Sequence, residues 1–251
     1  MTEPLLTIVT VTFNAAAVIA PTLQSVKEQT CGDFEYLVVD GASGDGTLQL
    51  VEAAGIPATR VISEPDKGLY DAMNKAIDHA AGRYLVWMNA GDAFAAPDSL
   101  ARIAAHAAGN PGVIYGQTQL VDERRAVVGN RHLTAPKSLS WKSFKRGMLV
   151  CHQAFVARRD LMPHYSMDYP VSADFDWCVA VLKKSERNAY VGDAPIVNFL
   201  IDGVSARRRK ASLKERFHIM CKYYGTVPTV LRHVSFVPRF LLRKLRGGSN
   251  S

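Results

Sequence analysis

A switch between two hydrophobic periods, repeated through the first hundred residues, limits the fold of this chain more than any other feature. Short β-branched or apolar runs (Leu6 to Phe13, Tyr36 to Val39, Arg60 to Ser63, Tyr84 to Met88) alternate with stretches whose apolar residues fall at helical spacing. These are Ile19, Leu23 and Val26, then Leu48 and Val51, then Leu69, Met73 and Ile77. Strand–helix–strand alternation predicts an α/β fold with a mostly parallel sheet covered by helices. Pro97 and Asp98 open a further helix, with Asp98 in its first turn, where a negative charge suits the helix dipole. Beyond Asn110 the pattern loosens into strands over Val113 to Val121 and Gln153 to Ala157, a short Trp-Lys-Ser-Phe helix from Trp141, and a helix from Asp174 to Lys183. At 251 residues and 48% hydrophobic, the chain holds enough apolar material for one enzyme-sized core. Residues 1–225 are read as one domain and 226–251 as a tail.

The charge is uneven. The formal net charge is +7, and the seven basic residues after Glu215 (Arg216, Lys222, Arg232, Arg239, Arg243, Lys244, Arg246) account for the excess, because no acidic residue follows. Val230, Val234, Val237, Leu241 and Leu245 fall on one helical face and Arg232, Arg239, Arg243 and Arg246 on the other, with Pro238 dividing the segment into two short helices. A neutral body with a basic amphipathic tail excludes a broad nucleic-acid grip and predicts contact with an anionic membrane surface. The competing reading packs the tail's apolar face on the body. The N-terminus has no basic leader and its apolar run is too short for a span, so the chain is expected in the cytoplasm, peripheral to the inner face of the membrane. Cys31, Cys151, Cys178 and Cys221 lie far apart, without metal-ligand spacing, and read as buried free thiols.

Four strings carry chemistry. In VVDGASGDGT, Asp40 ends a strand before a turn of small residues; ligands of open α/β sheets collect at such ends, and this carboxylate is placed to hold a base or ribose. Asp45, with Thr47, reads as a cap of the next helix. The order GxGxxG is absent, which argues against a dinucleotide oxidoreductase. In YLVWMNAGDAF, an apolar strand runs into Asn89 and Asp92, where a buried carboxylate needs a partner such as a divalent cation on a diphosphate, although Asn-Ala-Gly-Asp is also good turn chemistry. SEPDKGLYDAMNKAI gathers Asp66, Lys67, Gly68, Tyr70, Asp71 and Asn74 around a helix start, where Lys67 would meet phosphate oxygens, helped by the helix N-terminus, and where Asp66 also reads as the helix cap. SADFDWCVAVLKK puts Asp174 and Asp176 at another helix start, as a general base or as dipole partners. His152 and Gln153 precede it; a His beside an apolar strand is more often structural.

Taken in order, these segments resemble the family 2 glycosyltransferases of GT-A fold, especially the bacterial exopolysaccharide enzymes similar to those of colanic-acid synthesis. The likeness is specific over residues 5–95 and looser to about residue 225. It implies a nucleotide-sugar half (1–110) and an acceptor half (111–225). Thr12, Phe13 and Asn14 match the turn that lines the nucleotide, and Asp40 is the implied base-holding residue. Asn89, Ala90, Gly91 and Asp92 match the Asp-x-Asp-like element, making Asp92 the implied ligand of Mg²⁺ or Mn²⁺, with Asn89 and Gly91 where carboxylates are common. Met73 stands where many relatives carry Arg ahead of the Asn matched by Asn74. Asp66, Lys67, Gly68 and Asn74 are assigned to the donor, and His152, Gln153 and Asp176 to the acceptor side. Asp174 is the implied catalytic base, and Asp202 to Ser205 look like the GGxS element. The resemblance implies an inverting hexosyl transfer from a nucleotide sugar, UDP being the commonest, to a saccharide or lipid-linked saccharide in cell-surface polysaccharide synthesis. A non-catalytic nucleotide- or sugar-binding module and a sugar nucleotidyltransferase are the alternatives.

Overall fold

A computed structural model describes residues 3–201 and 209–233. The four expected leading strands form β1 (Leu6–Thr12), β2 (Phe34–Asp40), β3 (Thr59–Ser63) and β4 (Tyr84–Trp87). All pair in parallel, in the spatial order β3-β2-β1-β4. Every residue of β1 and β4 is buried, as expected for strands covered on both faces. The connecting helices are α1 (Ala20–Lys27), α2 (Thr47–Ala54) and α3 (Leu69–His79).

The sheet then continues as a mixed one. A two-residue strand β5 (Ala93–Phe94) and helix α4 (Ser99–Ala105) precede β6 (Val113–Val121), β7 (Val127–Asn130) and β8 (Phe155–Arg158). Helix α5 (Ala173–Lys184), the long strand β9 (Asn188–Leu200) and helix α6 (Arg209–Tyr224) follow. The full order is β3-β2-β1-β4-β8-β6-β9-β5, with β7 on β6. β8 is antiparallel to β4 and β6, while β9 is parallel to β6 and antiparallel to β5.

Several local expectations change. The strand expected from Gln153 begins at Phe155, because His152–Ala154 forms a 3-10 turn. The helix at Trp141 is a 3-10 helix, Trp141–Arg146, closed at its start by reciprocal Ser140 and Ser143 side-chain bonds. Asp98 is the N-cap residue of α4, one position ahead of the first turn, and its side chain makes no capping bond. Only Cys151 and Cys178 are buried; Cys31 and Cys221 are partly exposed. The helical turns at 226–233 agree with the start of the expected tail helices, and the rest of the tail, like Asp202 to Ser205, lies outside the described residues.

Helix α3 buries Tyr70, Ala72, Met73 and Ala76 and leaves Leu69 48% exposed, so its inward face begins one residue later than the Leu69–Met73–Ile77 spacing predicts. The helix binds the acceptor-side half through several side chains. Asn74 donates to the Tyr165 carbonyl (3.1 Å) and accepts from the Tyr165 N–H (2.7 Å), Tyr70 stacks on Tyr165 with centroids 5.5 Å apart, and His164 Nε2 lies 2.8 Å from Asp78. Both polar ends of the Asn74 amide are therefore used inside the fold. Asn74→Ala strips Tyr165 of two backbone partners and is expected to destabilise the chain by about 1–3 kcal/mol, read by urea unfolding; an unchanged midpoint would show that the clamp carries no load.

Candidate functional site

A hollow of about 330 Å³ opens at the C-terminal ends of β1 and β4, the position where α/β sheets collect ligands. Thr12, Phe13 and Asn14 line one wall, Asn89, Ala90 and Asp92 another, and Leu69, Gln153, Phe199 and Leu200 complete it. The two motifs assigned to the nucleotide sugar and the metal thus come together.

The loop leaving β1 is tied to the loop leaving β2. Asn14 sits in the left-handed region (φ 46°), its N–H donates to Ser43 Oγ (2.8 Å), and its Oδ1 accepts from the Gly44 N–H (3.0 Å). Phe13 is left 63% exposed at the mouth of the hollow, a large ring offered to solvent. Gly41 allows the close approach of its neighbours: a Cβ there would lie 2.5 Å from Asp66 Oδ2 and 3.2 Å from the Phe13 ring. Asp40 is fully buried and accepts from the Ser43 N–H (2.9 Å), Ser43 Oγ (2.5 Å) and Ser63 Oγ (2.7 Å). Its carboxylate builds the loop in this structure and does not line the hollow. Asp45 accepts from the Thr47 hydroxyl and N–H and from the Ala16 N–H, which hold its carboxyl below the usual range and fit the capping role.

The start of α3 is built similarly. Asp66 Oδ1 accepts from the Gly68 N–H (2.7 Å), Gly68 takes a positive φ of 116°, and the Lys67 N–H donates to Asp71 Oδ2 (3.0 Å). Asp66 therefore closes the turn into the helix, and the Lys67 side chain is exposed beside it.

Asp92 is the buried acid of the hollow. Its Oδ2 accepts from Gln153 Nε2 (2.6 Å) and its Oδ1 from the Leu200 N–H (3.1 Å). Burial pushes its pKa up to about 7 against the opposing pull of those two bonds and of the Arg125 charge. Two oxygens of residues that line the hollow, Asn89 Oδ1 and Thr12 Oγ1, are buried with no hydrogen-bond partner among the described residues. Buried polar atoms are ordinarily satisfied, so these two are exceptions to the pairing that the rest of the fold supplies. Thr22 Oγ1 accepts from the Gly91 N–H (2.9 Å) and donates to the Asp92 carbonyl (2.6 Å), fixing the turn that aims these groups.

Arg125, which no sequence pattern singled out, donates from Nη1 to the Gly91 carbonyl (2.6 Å). It sits in the turn between β6 and β7 at φ 64°, and partial burial lowers its pKa while Asp92 raises it. Gln153, read as acceptor-side, reaches Asp92 and faces the hollow.

Asp174 lies in the first turn of α5, where its Oδ1 accepts from the Phe175 N–H (2.8 Å) and, at 3.4 Å, from the Tyr70 hydroxyl. Burial and the Asp174 charge push the Tyr70 phenol far up, so it stays a proton donor. Helix α3 thus presents Leu69 to the hollow and Tyr70 to Asp174, linking donor-side and acceptor-side motifs through adjacent residues. Asp176 turns away, to Lys222 Nζ (2.8 Å) of α6. His152 is buried among aromatic rings, stacked on Trp87 and bonded through Nε2 to the Tyr165 hydroxyl (2.8 Å). Burial pulls its pKa down to about 4, so it is neutral near pH 7 and fits the structural reading.

Among the described residues no group of three His, Cys, Asp or Glu gathers into a cation cage. What the hollow offers is one carboxylate, Asp92, and the unpartnered amide oxygen of Asn89.

A Rossmann-like sheet with an acidic turn at the end of β4 and an acid at the start of α5 defines a GT-A glycosyltransferase fold. The profile described as glycosyl transferase family 2 matches residues 7–164, and this chain belongs to that family. It is similar to the PGL/p-HBAD biosynthesis glycosyltransferase of Mycobacterium tuberculosis, with 35% identity over 185 residues that cover 70% of this chain and 69% of the relative. It is also similar to Escherichia coli WfgD, a UDP-Glc:alpha-D-GlcNAc-diphosphoundecaprenol beta-1,3-glucosyltransferase, with 24% identity over 190 residues, 75% of this chain and 74% of that one. Among solved structures, S. aureus TarS 1-349 in complex with UDP-GlcNAc superposes with a TM-score of 0.69 at 16% identity, covering 92% of this chain and 73% of that one. The mannosyltransferase PcManGT of Pyrobaculum calidifontis, in complex with GDP-Man and Mn2+, superposes with a TM-score of 0.61 at 19% identity, covering 100% of this chain and 77% of that one.

Proposed function

We propose that this chain transfers a hexosyl group from a nucleoside-diphosphate sugar, with UDP as the first candidate, to a hydroxyl of a saccharide or lipid-linked saccharide, inverting the anomeric centre. The observation that carries this reading is the hollow itself, lined by Asp92 and by two residues with unpartnered buried oxygens, with Asp174 bonded to Tyr70, the residue after the lining Leu69. The solved neighbour holding UDP-GlcNAc and the E. coli relative whose acceptor is a diphosphoundecaprenol-linked sugar favour the same donor and acceptor classes.

In this reading Phe13 stacks on the nucleobase, and Thr12 and Asn89 supply oxygens toward the donor. The acceptor hydroxyl oxygen bonds to the anomeric carbon as the bond from that carbon to the diphosphate oxygen breaks, and the hydroxyl proton passes to the Asp174 carboxylate. Tyr70 orients that carboxylate. The exposed Lys67 and the start of α3 face the negative charge that develops on the leaving diphosphate. A divalent cation fits the donor set: Asp92 and Asn89 Oδ1 would hold it, since a hard cation takes oxygen ligands and a desolvated carboxylate gains from a positive partner. When bound, it would neutralise charge on the diphosphate. The cytoplasmic face of the membrane is the proposed site of action, with the basic segment 226–251 resting on anionic lipid; no described helix is long and apolar enough to cross a bilayer.

The test is release of nucleoside diphosphate from a panel of UDP- and GDP-sugars, with Mn²⁺ and a detergent-solubilised lipid-linked acceptor. Acceptor-dependent release from one donor is expected. Tight nucleotide binding with no release from any donor and acceptor tried would favour the binding-module alternative.

A further inference from the structure

The side of the body around the C-terminal end of α5 carries a second chemistry that the donor site does not use. Trp141 and Tyr224 stack with centroids 5.6 Å apart and planes 2° from parallel, held by the Tyr224 hydroxyl donating to the Trp141 carbonyl (2.6 Å). Lysines surround the pair. Lys142 and Lys183 lie 5.8 and 5.5 Å from the Trp141 ring centre, and Lys145 lies 5.4 Å from that of Tyr224. No carboxylate of the described residues forms an ion pair with any of these three lysines, whereas Lys222 alongside is paired with Asp176. Tyr224 ends α6, and the helical turns that follow leave Val227 and Leu231 69% and 66% exposed on one face.

Partly buried aromatic rings ringed by carboxylate-free lysines, continuous with exposed aliphatic side chains, match the headgroup layer of a bilayer, where amphipathic rings settle and cations meet lipid phosphates. Lysines over the ring faces leave those faces poorly open for stacking a sugar. The position is also apt: α5 rises about 14 Å from Asp174 to Lys183 at 1.5 Å per residue, so the patch and the proposed base lie at opposite ends of one helix.

We propose that the Trp141–Tyr224 platform, with Lys142, Lys145 and Lys183, is a bilayer-docking surface for anionic phospholipid that adjoins the start of the segment 226–251 and does not depend on that segment's basic residues. It deepens the lipid-linked acceptor reading and rests on it for its purpose, but its test does not depend on transfer.

Of the three tryptophans, Trp87 and Trp177 are 0% and 1% exposed, so Trp141 is the one that reports from the surface. The full-length chain is titrated with vesicles of phosphatidylcholine alone or mixed with phosphatidylglycerol, with and without brominated acyl chains. The expected result is a blue shift and bromine quenching on the anionic vesicles only, both absent in Trp141→Phe. The triple variant Lys142→Glu, Lys145→Glu, Lys183→Glu is expected to bind at least tenfold more weakly while keeping the wild-type affinity for UDP, which shows that it is folded. Sedimentation with anionic vesicles without any change in tryptophan emission, equal binding by the triple variant, or no binding to either vesicle would overturn the proposal. Failure of UDP to bind the wild type would strike the donor-site reading instead and leave the vesicle result standing.

Discussion

Asp174→Asn is expected to lower kcat by about a thousandfold, within the 10²–10⁴ range of a lost general base, while the affinity for UDP stays within about twofold. The amide keeps an oxygen for the Phe175 N–H and the Tyr70 hydroxyl, so the start of α5 and its tie to α3 survive. What disappears is the ability to take a proton from the acceptor. Single-turnover transfer measured beside calorimetric UDP binding separates the two effects. A variant that turns over at a tenth of the wild-type rate or faster would move the proton acceptor elsewhere, and the nearby candidates are poor: His152 is buried with its Nε2 on Tyr165, and Asp176 is paired with Lys222.

Asp92→Asn is expected to act in opposite directions on binding and on stability. The folded protein raises the Asp92 pKa to about 7 from its ordinary 3.8, so between those values the native state holds a proton that the unfolded chain has released. The stability contributed by that proton is fully present below about pH 4 and is lost as pH rises through about 7. Above pH 7 the bare native protein carries a buried charge that costs up to about 4 kcal/mol at 1.36 kcal/mol per pKa unit. Asn carries no charge and can keep both contacts once the Gln153 amide turns over. The metal-free variant should therefore melt on the order of 5–10 °C above wild type at pH 8, with the gap closing toward pH 4. The same variant should lose Mn²⁺-dependent UDP binding. A melting gap that is constant with pH would show that Asp92 is ionised in the fold throughout. The pairing of a stability cost with a binding requirement is what a functional buried acid should display.

The first half of the fold was legible because each element there obeys a single period. The four leading strands and three helices could be placed to within a residue or two, since the buried β1, β2 and β4 read as apolar or β-branched runs and the edge strand β3, though mostly exposed, keeps a short β-branched one. β9 does not show in the sequence because Gly192, Asp193 and Pro195 interrupt its apolar pattern; parallel pairing against β6 on both sides of two register shifts holds it together. That is tertiary pairing, and no local pattern reports it. The two-residue β5 exists only as a partner for β9.

The candidate site divides in the same way. Thr12, Phe13, Asn89 and Asp92 sit at strand ends, where position in an α/β sheet already indicates function, and they line one hollow. Asp45 and Asp66 do the capping and turn-closing work that their local sequence offered as an alternative. Asn74 and Asp176 look functional in one dimension, yet the structure uses the Asn74 amide on Tyr165 and Asp176 on Lys222, partners about ninety and forty-six residues away. Arg125 was invisible for the converse reason: it lies in a charged surface turn, and only the curl of β6 and β7 carries it to Gly91.

The hollow at the ends of β1 and β4 is proposed here as a nucleotide-sugar site. The most direct test is calorimetric titration of UDP and of GDP into the wild-type chain, each with and without Mn²⁺. Saturable binding of one nucleotide, UDP first, strengthened by Mn²⁺, is the expected result. If neither nucleotide binds with or without the metal, the hollow is not a donor site and the account is contradicted.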